Sequence, residues 1–468
     1  MTDPAGTNSA EDAIGRALAA HAPAGWDRAH AEFAMTVSRE AGHIVYSLGA
    51  NTISMNAPES VLSVIRQIRT TSYRQNSGLW WRMLVELDES GAISIEYDYG
   101  NYPFPPGQLF EPDQYRADLA TFPRPQLPVW LGAYVGHADR QLRTPQRAAE
   151  QACADRAGQV WATLADNEFP ELPAMWARWA TIAAAFVAAR SDWGPRMMPA
   201  TAVFEGSGHG GATLHLLPGS RAVLSGGVWN ASTLDAVYNG GQPMPNLYAG
   251  APNWVADSVL NPRAATGLLT FCYWWEAGHW YRGQSPTAED CATAVPGMWT
   301  SVTVVEIIMG LVPDGDMDEA ADLIAAAEAG TVTRDRLEAV FRRVPDADIE
   351  GALHQCLLAG LLTVAPRQIP AAEAISRVRD YVVAHRMDTT GYPLSQLTAV
   401  RLNIGWMVHA PAPDSEPMVG RAIFYVADDG VLELSSTSVA PPIYIADFER
   451  RFAERHRSVI KTVGTGGD

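Results

Sequence analysis

The densest set of groups able to do chemistry lies at residues 272–283, CYWWEAGHWYRG. His279 sits among Trp274, Trp275, Trp280 and Tyr281. An imidazole among indoles can line a ligand pocket, and Trp and Tyr also anchor protein interfaces. Alternating aromatics in a hairpin are, in the plainer reading, core. His279 becomes a general base only with a carboxylate or nucleophile placed beside it, and the sequence alone places none there. The other candidates are poorer. GSGHGG at 206–211 could cradle a phosphate, but it lacks the P-loop pattern, does not match GxGxxG before a helix and does not spell GxSxG. The next residues, ATLHLLPG, alternate like a strand, so the glycines read as a hairpin loop. DGDMDEAADLIA from Asp314 begins like a calcium loop. It has Glu319 where the turn needs Gly and Ala325 where a bidentate Glu is needed. Acids opening a helix explain it better.

Cys153, Cys272, Cys291 and Cys356 are far apart, with no CxxC and no His at ligand spacing. They read as buried free thiols, so no structural metal is expected. No HExxH, triad or paired-carboxylate signature is present. The expectation is no catalytic residues, no cofactor and no metal. What remains is acidity. Glu96 and Asp98 fall on the polar side of an alternating strand, and Glu111 and Asp113 open a short helix after a proline-rich elbow at 103–106. Exposed carboxylates in such a place suit recognition of a basic protein.

The whole chain points the same way. Its 468 residues carry a net charge of -18 with a pI near 5.0. Nucleic acid and anionic membrane are repelled by such a chain. Residues 333–364 have the rhythm of a winged helix, but the would-be recognition helix opens with Asp346, Asp348 and Glu350, which opposes phosphate. Lys461 is the one lysine, a pattern of GC-rich coding rather than of function. Apolar residues make up 47%, enough for packed cores. The N-terminus lacks the basic and apolar regions of a signal peptide, and no apolar run is long enough to span a bilayer, so a cytoplasmic location is expected.

The elements that position these groups read as an α+β, multidomain chain of five segments. Residues 1–137 form an α+β module, with Ile14, Leu18 and Ala19 on one side of a helix. Two strands come after it, around a turn at 40–42. Next come a helix capped by Ser60 with a stripe of Val61, Val64, Ile65 and Ile68, and a hairpin. In that hairpin Trp81, Met83, Val85 and Leu87 alternate with residues of the other face, Arg82, Leu84 and Glu86. Beyond a turn at 88–91, Ile93, Ile95, Tyr97 and Tyr99 do the same, which puts Trp81 and Tyr97 in the core. Residues 138–198 read as helical, 199–299 as a Gly/Pro/aromatic-rich β region with a long ordered loop, and 300–366 as helical. Residues 367–468 read as a second helix-plus-antiparallel-sheet module, with a frayed tail at 462–468. Both end modules run helix, sheet, proline elbow, helix.

The first segment resembles the YezG-like immunity proteins, which neutralise toxins of polymorphic secretion systems. The resemblance rests on a helix, a hairpin, a helix and then WWRMLVELDESGAISIEYDYGN, followed by FEPDQYRADL. It covers about a quarter of the chain and departs from the family pattern at the proline elbow. The last segment is more loosely similar to YrhB-like immunity domains, through IGWMVHA and GRAIFYVADDGVLEL. What the resemblance implies is a single α+β domain that binds a toxin protein. The expectation is therefore an immunity protein that contacts its toxin through Glu96, Asp98, Glu111 and Asp113. The alternative is a small-molecule-binding protein or enzyme with its pocket at Trp274, Trp275, His279 and Trp280.

Overall fold

The computed structural model describes residues 4–72, 78–362, 369–411 and 421–457. It is an α+β chain with three antiparallel sheets. The tail expected at 462–468 lies outside the described residues.

The first module begins with α1 (Pro4–Ala19), β1 (Arg28–Met35), β2 (Glu40–Leu48), β3 (Asn51–Asn56) and α2 (Glu59–Thr71). It continues with β4 (Arg82–Asp88), β5 (Ile93–Asp98), α3 (Pro112–Thr121) and α4 (Val129–Gly136). Its strands lie in the order β3-β2-β1-β4-β5. One face is apolar at every second residue: Ala29, Ala31 and Phe33 of β1, Ile44 and Tyr46 of β2, Met83 and Val85 of β4. Ile14 and Leu18 of α1 and Val61, Ile65 and Ile68 of α2 bury that face. Ala19 is exposed and Val64 half-buried.

Two local expectations need correcting. The first turn lies at 36–39, where Thr36 N–H donates to the Arg39 carbonyl at 2.7 Å. Gly42 is instead a strand residue opposite Phe33. A Cβ there would come within 2.9 Å of the Phe33 ring and 2.6 Å of Ala57 Cβ, so the glycine serves close approach rather than a turn. Ser60 lies inside α2, whose cap is Pro58, and its hydroxyl meets His21 Nε2 at 3.1 Å.

Trp80 and Trp81 part company. Trp80 enters the helix-covered core, whereas Trp81 joins a second aromatic cluster with Phe104, Phe110, Tyr115, Trp130 and Leu131. The proline elbow builds this cluster. It drops Phe104 between Trp81, Tyr115 and Trp130, with ring centroids 5.2–6.3 Å apart. A buried carboxylate stitches the cluster to the sheet. Asp118 accepts from Arg69 at 2.8 and 2.9 Å, from Trp81 Nε1 at 2.9 Å and from Val37 N–H at 2.9 Å.

Between residues 145 and 358 the elements are α5 (Pro145–Ala157), β6 (Thr163–Leu164), α6 (Leu172–Ala188), β7 (Arg196–Met198), β8 (Thr201–Glu205), β9 (Gly211–Leu217), β10 (Arg221–Gly227) and α7 (Ser232–Tyr238). They continue with β11 (Phe271–Glu276), β12 (His279–Arg282), α8 (Ser301–Leu311), α9 (Met317–Glu328), α10 (Arg334–Phe341) and α11 (Ile349–Leu358). One seven-stranded sheet runs β6-β12-β11-β10-β9-β8-β7. The three middle segments share a core, because α6 and α8 to α11 cover one sheet face in a single cluster from Ala165 to Leu361. The long loop after α7 and Ala148 of α5 cover the other face through Leu247, Tyr248, Val255 and Leu260. Glycine-rich 206–211 is a hairpin loop, closed by Gly206 N–H on the Gly210 carbonyl at 2.8 Å. Asp316 caps α9 by accepting from Asp318 N–H at 2.9 Å. The would-be recognition helix α11 packs on α6.

The last module is α12 (Ala371–Ala384), β13 (Thr398–Leu402), β14 (Gly405–His409), β15 (Ala422–Ala427), β16 (Leu432–Ser436) and α13 (Pro441–Arg457). Its sheet is a simple meander, β13-β14-β15-β16. Both end modules are therefore helix-plus-antiparallel-sheet units, but the first has α2 inserted between strands. Among the described residues, no helix is long and apolar enough to cross a membrane.

Candidate partner-binding surface

Strand alternation gives the first module two unlike faces. The apolar face is covered by helices. The other carries His30 and Glu32 of β1, Leu84 and Glu86 of β4, and Ser94 and Glu96 of β5. Residues directly opposite in register share a face. One row therefore crosses the sheet as His43, Glu32, Leu84 and Glu96, and the next as Val45, His30, Glu86 and Ser94. Three carboxylates and two imidazoles meet there on four adjacent strands. His30 Nε2 lies 3.2 Å from Glu32, and His30 Nδ1 lies 3.9 Å from Glu86, whose side chain is 64% exposed.

The elbow reaches this face at one end. Its short turn Pro106–Gln108 places the Gln108 amide so that its oxygen accepts from Arg82 Nε and its nitrogen donates to Glu32. Arg82 in turn donates to Asp98 at 2.8 Å. Burial pushes the Glu32 carboxyl up, but the hydrogen bonds from His30 and Gln108 outweigh it, and the group is held below the usual glutamate value. The result is a polar row, Asp98–Arg82–Gln108–Glu32–His30–Glu86, fixed at one end and open at the other.

The expected contact residues fare unequally. Glu96 is exposed on the open face. Asp98 is not the free outward acid expected: Arg82 and Gly100 N–H, the latter at 2.8 Å, occupy its oxygens. Glu111 and Asp113 stand on α3 and do not enter the row. Glu111 is the N-cap, with its N–H donating to Gln114, and Asp113 is held by Arg116 at 2.5 Å. The residues that sequence reasoning passed over are Glu32, Glu86, His30 and His43. The signal was present, because they alternate with the apolar residues of the same strands.

The aromatic residues of the middle region do not line one pocket. Trp275 and Trp280 pack edge to face in the helix-covered core, while Trp274 stacks on Tyr281 on the opposite face of the sheet. Consecutive strand residues must point to opposite faces. His279, at the hairpin end, is half exposed and bonds Asp166 at 2.7 Å, and that bond holds the Asp166 carboxyl below its usual range. A cleft of about 410 Å³ lies elsewhere, between α5 and residues 250–253. Cys153, Arg156 and Trp161 line it, and Trp161 is 74% exposed. A scan against protein-family models and a search of the curated proteins find no match to this chain.

Proposed function

We propose that this protein is a cytoplasmic immunity protein that binds a basic toxin and blocks it by contact, without chemistry of its own. The observation that carries this reading is the open, carboxylate-bearing sheet face of the first module at Glu32, Glu86 and Glu96. The net charge of -18 supports it, as does the likeness of residues 11–137 to YezG-like proteins. Charge complementarity of this kind acts mainly on encounter and orientation. The residues to reverse are Glu86 and Glu96, which among the described residues have no ion pair with an arginine, rather than Asp98, whose reversal would strand Arg82. In co-expression with the toxin encoded beside it, Glu86→Lys/Glu96→Lys should lose protection and bind more slowly, with an unchanged melting curve. Protection that survives the double reversal would sink this reading.

A second reading, a small-molecule binder, draws on the cleft beside Trp161. Its mark would be a bound metabolite that copurifies with the wild type and is lost in Trp161→Ala.

A further inference from the structure

The two edges of the first sheet are built differently. On β5, the strand carries Glu96 and Asp98, and α1 packs beside it. Charge on an edge strand is the common guard against edge-to-edge pairing. On β3, the sequence is NTISMN, with no charge and no proline, and every residue except Met55 is exposed. Ile53 is 45% exposed although it lies on the helix-covered side.

The direction of the free backbone groups follows from one bond. Ala57 N–H donates to the Gly42 carbonyl at 2.8 Å. Hydrogen-bonded and non-bonded pairs alternate along an antiparallel ladder. With Ile44 opposite Met55 and Tyr46 opposite Ile53, those residues bond inward to β2. The N–H and C=O groups of Thr52, Ser54 and Asn56 therefore point out of the sheet.

We propose that β3 pairs antiparallel with β3 of a second copy of this chain, about a two-fold axis through Ser54. In that register Thr52 of each copy faces Asn56 of the other, and Ile53 faces Met55. Polar meets polar on one face and apolar meets apolar on the other. All three outward residues are used, for about six new backbone hydrogen bonds. The net charge does not oppose this locally. The nearest carboxylate on the open face is Glu32, two strands in. At about 4.8 Å per strand it lies about 24 Å from its counterpart, against a screening length of about 8 Å in physiological salt. At the strand ends Glu59 is paired with Arg66, and Asp27 accepts from Gly49 N–H. The pairing makes one continuous sheet, with both acidic rows on the same side, because the two-fold stands normal to the sheet. It rests on β3 alone and holds whether or not the partner is a toxin.

Sedimentation equilibrium of the full chain over a wide concentration range tests it. The wild type should be dimeric, and Ile53→Lys and Ser54→Pro should each raise the dimer dissociation constant more than about tenfold. Proline at 54 removes an outward N–H and the exposed Ser54 hydroxyl contact with His43 Nε2 at 2.9 Å, but no bond of the β2–β3 ladder, so the monomer should keep its circular dichroism. Should either variant misfold, Ser54→Cys in a Cys153→Ser background gives an independent readout. Paired residues at the axis have Cα atoms about 5.5 Å apart, within disulfide reach. Mild oxidation should cross-link Ser54→Cys much faster than Ser90→Cys, on an exposed turn. A monomeric wild type, a dimer indifferent to both edge variants, or equal cross-linking at the two positions would overturn the proposal.

Discussion

Asp118 carries the first module's tightest polar knot. Its side chain is 2% exposed and Arg69's is 5% exposed, so neither charge has water to fall back on. Above it Arg124 lies 3.3 Å over the Trp81 ring, where burial pushes its guanidinium down to about 10, still charged at neutral pH. Removing one partner of a buried pair leaves the other uncompensated. Asp118→Ala should therefore destabilise the protein by about 3–5 kcal/mol in urea unfolding. Glu32 gives a pH signature. Its folded pKa is depressed, so its contribution is present above the unfolded value and lost as the pH falls through the folded one. The stability gap between wild type and Glu32→Gln should be full at neutral pH and close as the pH drops below the ordinary value of 4.5. A gap that stayed constant through acid would show that the carboxylate contributes nothing by ionising.

At the scale of elements, the β4–β5 hairpin and the elbow act together. Trp81 is 1% exposed inside the elbow's aromatic cluster, whereas Tyr97 is half-buried at the edge of the helix-covered core. Trp81→Ala should cost about 3–5 kcal/mol by chemical denaturation, the range for a large buried aromatic. Tyr97→Ala should cost clearly less, because water replaces part of what it loses. Equal losses would mean that the hairpin's outer strand is buried more deeply than its exposure indicates. The elbow also reaches the middle region: Tyr102 lies 5.4 Å from His209 of the glycine loop, which lies 4.9 Å from Trp229. Leu127 N–H meets Asn239 at 2.9 Å beside the packed helices α4 and α7.

For the whole molecule, cores rather than segment boundaries decide what can fold alone. Among the described residues, the clusters of the last module use only residues from Ile369 to Phe452, and the clusters of the first module and the middle use none of them. Chains 1–362 and 369–468 should each show cooperative thermal unfolding when expressed separately. A cut after residue 137 is different. It separates Trp229 from the aromatic cluster of Trp130, and α4 from α7, so that piece should be poorly soluble.

By itself the sequence determined what period and local chemistry determine. The alternation of β4 and β5, the hairpin loop at 206–211 and the acid-capped α9 all follow from spacing and turn residues. The opposite facing of Trp274 and Trp275 was legible by the same period of two, although it is easily lost in a stretch so rich in aromatics. Strand β3 was not legible, because NTISMN is only six residues long and its two β-branched residues, Thr52 and Ile53, stand between asparagines; β2 offers it the ladder it completes. Nor could spacing show that Gln108, beyond the elbow, would bridge Arg82 and Glu32, or that segments from Ala165 to Leu361 would share one core. Those are long-range outcomes of packing. They are fixed by which faces need cover and which carboxylates find a donor once the chain is folded.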